Sequence, residues 1–224
     1  MKRLVAEPLR FPRGVRFMRP GEAPGVGPPD ALERLNTALN RLKTAHITTG
    51  YVCYAPKKAG AMPYFEANAH ADRVWLLVKA IAESILPAAA APIIGLKDED
   101  PILGPYTSRA AAIGVFEPFA EALQHDGLLE FGIIFRRAGK TNEVFVRSAK
   151  YLQIWTTSPK AVRRILESHG LPEVPNLQFI DDYARVSETL SLEDGTAGWP
   201  LVYEGLQRAF ASLPPAPDIH TLGA

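Results

Sequence analysis

The stretch from Leu128 to Trp155 reads LLEFGIIFRR (128–137), AGKTN (138–142) and EVFVRSAKYLQIW (143–155). Two segments rich in β-branched and aromatic residues flank a short polar connection that holds Gly139 and Asn142, which is the pattern of a β-hairpin. Leu129, Phe131, Ile133 and Phe135 alternate along the first segment and so share one face of a strand. Leu128 and Ile134 make its other face partly apolar, as expected of a strand inside a sheet.

Helical patterns bracket this hairpin. Downstream, Ser158-Pro159 supplies a cap residue and a first-turn proline. Val162, Ile165 and Leu166 then point inward, and Gly170 and Pro172 stop the helix. Upstream, Ser108 is placed to cap a helix that Gly114 and Pro118 break or kink. Phe116, Phe119, Ala120 and Leu123 still give that region an apolar face. A further helix is expected over Asp72–Leu86, where Val74, Trp75, Leu77, Val78, Ile81 and Ile85 form a broad apolar stripe. Pro87 to Pro105 reads as a long irregular connection carrying the acidic run Asp98-Glu99-Asp100. Nearer the N-terminus, Asp30 and Glu33 have capping-box spacing ahead of Leu32, Leu35, Ala38, Leu39 and Leu42. Ile47–Tyr54 reads as a strand. Beyond the hairpin unit, Asn176–Ile180 reads as a short strand, 181–198 as an acidic irregular segment and Pro200–Ser212 as a last helix.

The expected architecture is therefore α+β, a mainly antiparallel sheet with helices packed on it. The order of elements from Ile47 to Ile180 suggests a ferredoxin-like β-α-β-β-α-β arrangement with an inserted helix and a long loop in its first crossover. The expected division is a basic Pro/Gly-rich segment over 1–29, one domain over 30–213 and a Pro-rich tail over 214–224. In the first segment, Lys2, Arg3, Arg10, Arg13, Arg16 and Arg19 stand against Glu7 and Glu22. It reads as a surface strand and a loop with arginines in solvent; the competing reading is an arm for an acidic partner.

The bulk numbers narrow the class. The 224 residues are 47% hydrophobic, enough for an independent core. Lysine and arginine total 25 against 24 acidic residues, a balance that weighs against a nucleic-acid binder. Cys53 is the single cysteine, so neither an intrachain disulfide nor a cysteine-based zinc site is expected. No apolar run approaches the ~20 residues needed to cross a bilayer, and the first residues lack the apolar region of a secretory signal. The expectation is a cytoplasmic bacterial protein, not membrane-bound.

Motifs that carry chemistry are missing. GxGxxG, GxxxxGK[ST] and GxSxG do not occur, and AGKT at 138–141 joins two strands without the upstream glycine of a phosphate loop. No cofactor and no metal are expected. Cys53 with His46 or His70 would suit a thiol nucleophile and base only if they met in space; a buried cysteine in a strand is the plainer reading. His70, Asp72, Asp181 and Asp182 are the residues for a hydrolase or transferase using histidine and loop carboxylates. Arg136, Arg137, Lys140, Arg147 and Lys150, with Arg163 and Arg164, would form a nucleic-acid patch if they converged, interleaved with Phe131, Phe135, Phe145 and Tyr151. The preferred expectation is a non-enzymatic protein-binding module, such as an immunity protein that neutralises a cognate toxin by steric occlusion. Its contact residues would be Asp98, Glu99, Asp100, Arg136, Arg137, Lys140, Arg147, Asp181 and Asp182, with charge complementarity guiding the encounter. The sequence gives no expectation for oligomeric state.

Overall fold

A computed structural model of the chain describes residues 4–19, 21–22, 29–55, 62–191 and 195–216, with the side chains of 29–32 and 35 left aside. In chain order the elements begin with β1 (Val15–Phe17), α1 (Pro29–Arg41), β2 (Gly50–Tyr54), β3 (Tyr64–Asn68) and α2 (Val74–Ile85). They continue with β4 (Ala89–Leu96), β5 (Ile102–Leu103), β6 (Thr107–Ser108), α3 (Arg109–Gly114) and α4 (Ala120–His125). The C-terminal part holds β7 (Leu129–Arg137), β8 (Lys140–Val146), β9 (Leu152–Trp155), α5 (Pro159–Ser168), β10 (Arg185–Ser187) and α6 (Trp199–Ala211).

The main sheet has the order β2-β3-β9-β8-β7-β4-β5, with β6 also paired to β4, and every ladder in it is antiparallel. The expected α+β class with a mainly antiparallel sheet is what the chain adopts. The ferredoxin-like order is not: two hairpin strands, β2 and β3, precede α2, and β7, β8 and β9 run as a meander. Strand β7 sits between β8 and β4 and is central, as its two apolar faces suggested.

One face of the sheet carries the main core. Tyr51, Phe65, Phe131, Ile133, Val144, Leu152 and Ile154 point into it, against side chains of α2, α3, α4, α5 and α6. Helix α2 buries Val74, Trp75, Leu77, Val78, Ile81, Ala82 and Ile85, an arc of about 160° at 100° per residue, while Leu76, Glu83 and Ser84 outside that arc are exposed. Ser108 caps α3 through Ala111 N–H at 3.2 Å. Ser158 does not cap α5 with its side chain; Thr156 Oγ1 instead accepts from Ser158 N–H at 2.9 Å.

Three expectations need correcting. The connection Pro87–Pro105 contains β4, whose eight residues are all buried. Pro92 is tolerated there because its carbonyl accepts from Gly104 N–H at 2.8 Å on the β5/β6 side. Its missing N–H faces that same side, at the break between the two short partners β6 and β5, and the ladder to β7 is intact. The second half of the hairpin is two strands, β8 and β9, separated by a tight turn in which Lys150 has φ 65°. Asn176–Ile180 forms no strand; a 3-10 turn occupies Ile180–Asp182 and the strand is β10.

The basic N-terminal segment closes on its own chain. Strand β1 pairs with β10 in a separate two-stranded ribbon. Arg10 pairs with Asp72, Arg13 with Glu121, and Arg16 with both Glu22 and Glu188, so these arginines are paired within the chain, and the Arg10–Asp72 pair stays largely in solvent. Residues Glu7–Leu9 lie alongside Ile47–Thr49, with Thr49 N–H donating to Glu7 O at 2.7 Å and Leu9 N–H to Ile47 O at 3.1 Å. Lys2, Arg3, the 23–28 part of the Pro/Gly-rich stretch, the Asp30 cap, Leu32 and Leu35, Glu193, Asp194 and the tail beyond 216 lie outside the described residues or side chains.

A buried polar hub ties the C-terminal segment to the sheet. Asp126, fully buried, accepts from Leu128 N–H at 2.9 Å, Thr189 Oγ1–H at 2.7 Å, and Leu190 and Trp199 N–H at 3.0 Å. Nearby, Lys150 is 3% exposed and donates its ammonium to Leu129 O. Glu130, also buried, accepts from Ser148 N–H at 3.0 Å and pairs with Arg147 at 3.3 Å. Burial pushes the Lys150 amine down to about 7, and Asp126 and Glu130 oppose that shift.

Candidate functional site

The second face of the sheet, opposite the helices, is read from the register. Directly paired residues share a face, so one row runs Tyr54, Tyr64, Trp155, Glu143, Ile134 and Ala91 across six strands. The next row holds Val52, Glu66, Gln153, Phe145, Gly132 and Ile93. Towards β4 this face closes into a small cluster of Ala91, Ile93, Ile134 and Phe145 under Tyr106. Towards β2 it is partly open: Tyr54 is 46% exposed, and Tyr64, Glu66, Gln153, Trp155 and Glu143 are half-buried.

The three aromatic rings form a continuous shelf. Tyr54 stacks on Tyr64 with centroids 5.5 Å apart, and Tyr64 lies 4.4 Å from Trp155. Glu66 sits one row away and accepts from the hydroxyls of Tyr54, at 3.0 Å, and Tyr64, and from Gln153 Nε2 at 3.2 Å. All three of these donors are neutral, so among the described residues no cation is paired with this carboxylate beside the rings. Tyr54 is pushed up to about 12 by burial and by Glu66, and Tyr64 rises for the same two causes. Burial also raises the Glu143 carboxyl, against the pull of Arg136.

More carboxylates border the shelf. Asp181 pairs with Arg185 at 2.6 Å and raises the Tyr151 hydroxyl, while Asp182 accepts from Phe179 N–H at 3.0 Å and acts on Tyr54. Arg136, exposed, is the cation on the far side, beyond Glu143. Among the described residues the shelf is an aromatic surface bordered by carboxylates, with Arg136 and the Asp181-bound Arg185 as neighbouring cations, suited to a guanidinium or ammonium group laid on the rings and paired to a carboxylate.

The residues expected from sequence fall in several places. Asp181, Asp182 and Arg136 adjoin the shelf. Arg137 and Lys140 are exposed at the β7–β8 tip. Arg147 is drawn inward, paired with Glu130 and lying 5.9 Å over the Phe145 ring. Asp98, Glu99 and Asp100 occupy the exposed turn after β4, at the opposite edge of the sheet from β2. Three strand spacings, roughly 14 Å, separate β9, which carries Trp155, from β4, which the acidic turn follows. Tyr54, Tyr64, Glu66 and Trp155 are the residues sequence reasoning missed. The available signal was the alternation in Tyr64-Phe65-Glu66-Ala67-Asn68, with Phe65 and Ala67 directed to the core.

The residues of the enzymatic reading have partners of their own. Asp72 is engaged by Arg10, Asp181 by Arg185 and Asp182 by the Phe179 amide. His70 accepts from the backbone N–H of the same Arg10 at 3.2 Å and lines a cleft with Glu7, Thr49, Arg73 and His169. Cys53 is half-buried on β2, and burial raises its thiol, the opposite of what an activated nucleophile needs. The basic residues do not converge either: Lys150 is buried, and Arg163 pairs with Glu173 and lies 5.6 Å from the Phe65 ring on the core side. Among the described residues no group of three or more His, Cys, Asp or Glu side chains is placed to hold a metal ion. None of the described helices is long and apolar enough to cross a membrane.

No family model, curated protein or solved structure matches this chain.

Proposed function

We propose that this chain is a protein-binding module that works by covering part of a partner, as an immunity protein covers its cognate toxin, and that the partner docks on the Tyr54–Tyr64–Trp155 shelf. The observation that carries this reading is the stacked, half-exposed aromatic row beside Glu66, whose partners among the described residues are all neutral. Large rigid rings supply contact area at low entropic cost and anchor many interfaces. The nearby carboxylates select for a partner surface rich in arginine or lysine, because a guanidinium over a tyrosine or tryptophan face gains most when a carboxylate holds its other side.

The test is capture from the native host with the full chain as bait, compared with a Tyr54→Ala/Trp155→Ala double variant shown to be folded by circular dichroism. The reading expects one protein recovered in stoichiometric amount by the wild type and lost with the double variant. It also expects that this complex weakens as salt rises, since its charged contacts are screened. Recovery of the same protein by both baits would remove the shelf from the interface. Turnover of a small molecule, with no stoichiometric protein, would replace the reading with an enzymatic one.

A further inference from the structure

A second site, independent of the shelf, lies where the N-terminal strap crosses the helical side of the molecule. It is a cleft of about 210 Å³. Its floor is apolar, made by the buried residues Ala69, Leu77 and Leu171. Its rim carries Glu7 from the strap, Thr49 just before β2, His70 after β3, Arg73 just before α2, and His169 with Gly170 at the end of α5. Five separate segments therefore meet at one polar rim over an apolar floor.

The rim is rich in donors that have no acceptor. His70 Nδ1 accepts from Arg10 N–H at 3.2 Å, so the neutral ring carries its proton on Nε2. That Nε2–H faces the Glu7 carboxylate at 3.6 Å, beyond hydrogen-bond length. Neither the Arg73 guanidinium nor the His169 imidazole makes a hydrogen bond or ion pair among the described residues, although both line the cleft. Thr49 Oγ1 accepts from Glu7 N–H at 3.0 Å and keeps its own proton to donate. One carboxylate thus stands against four donor groups, and Glu7 itself is 71% exposed at the rim.

We propose that this cleft binds a small oxyanion, a carboxylate or a phosphate monoester, through Arg73, His169 and the Nε2–H of His70, with Glu7 as a built-in competitor for that N–H. A guanidinium is suited to such groups because its fork matches two oxygens of a carboxylate or phosphate. The apolar floor accepts a short carbon chain and sets the size limit to a small molecule. Removing the Glu7 charge strengthens binding without loosening the strap, because the strap is held by backbone bonds of Glu7 to Thr49.

The test is a titration of the full chain with sodium phosphate and, separately, sodium acetate, at neutral pH and constant ionic strength, with sodium chloride as the blank. Ring signals of His70 and His169 and the Gly170 amide are followed by NMR, with His125 as the internal reference. Saturable shifts at these three residues are expected. Saturation by phosphate alone assigns a phosphate ester, and saturation by acetate assigns a carboxylate. Glu7→Gln should tighten binding several-fold, and Arg73→Ala should weaken it by about tenfold or more, the loss of one charge-assisted contact. Arg73→Lys, which keeps the charge, should recover part of the affinity and guards against a folding defect in Arg73→Ala. Linear shifts equal to those in chloride, or affinities indifferent to both Glu7→Gln and Arg73→Ala, would overturn the proposal.

Discussion

Lys150 makes the stability of this chain depend on pH in a defined direction. Its ammonium is buried beside Leu129 O, and burial pushes it down to about 7 from an ordinary 10.5. Between these values the unfolded chain holds a proton that the folded chain has largely released, so stability rises with pH across the window from 7 to 10.5. Below about 7 both states are protonated and the desolvation penalty is fully present. Integrating the linkage from pH 7 to pH 9 gives a gain of about 2 kcal/mol from this residue alone. Other groups act at the edges of that range. Burial raises Cys53, Tyr51, Tyr64 and Tyr151, and each of these loses stability for the fold once the unfolded group ionises, near or above pH 9. Burial lowers His125, whose stabilisation is lost as pH falls below about 6.5. The clean readout is therefore a difference between two proteins in the same buffers. Urea unfolding of wild type and Lys150→Met, followed at pH 7, 8 and 9, should show the wild type gaining about 2 kcal/mol relative to the variant over the range. The variant keeps Asp126 and Glu130 satisfied by their other donors, so it should fold. Parallel pH profiles for the two proteins would refute the reasoning, because they would mean that Lys150 titrates alike in the folded and unfolded chains.

Other substitutions probe the same frame. Asp126→Ala leaves the N–H groups of Leu128 and Leu190 without an acceptor, whereas Trp199 N–H keeps Thr189 Oγ1 and the Thr189 hydroxyl keeps Leu190 O; equilibrium unfolding should show a loss of roughly 2–4 kcal/mol. Gly132→Ala places a Cβ 2.5 Å from Val144 O and 2.7 Å from the Phe145 ring, within the β7–β8 ladder. The strands must separate to admit it, which should cost about 2–3 kcal/mol in the same assay. Tyr54→Ala, on an exposed ring, should cost about 1 kcal/mol or less in stability while lowering partner affinity by about tenfold or more by calorimetry.

The core pattern was legible because it is local. Helix α2 announces itself through Val74, Leu77, Val78 and Ile81, and β7 through its alternation of Leu129, Phe131, Ile133 and Phe135. Strand β4 was hidden because Ala89-Ala90-Ala91-Pro92 has weak strand propensity; its pairing with β7 and its complete burial outweigh that preference. The break between β8 and β9 was hidden because Lys150 adopts a left-handed conformation without being glycine or asparagine, in a turn closed by Lys150 N–H to Arg147 O at 2.8 Å and Arg147 N–H to Tyr151 O at 3.1 Å. The shelf was hidden for a different reason. Tyr54, Tyr64 and Trp155 come from three strands, and only the pairing of β3 with both β2 and β9 sets them side by side. Asp181 and Asp182 stand in the sequence only as carboxylates of an irregular segment; in the structure they act on Tyr151 and Tyr54.

Oxidative footprinting of the chain alone and in its captured complex addresses the shelf most directly, since it reports side-chain shielding residue by residue. The account predicts protection of Tyr54, Tyr64 and Trp155 on complex formation, with Ile102 and Leu103 at the far edge unchanged. Protection at that far edge, with the three shelf rings still open to modification, would contradict it.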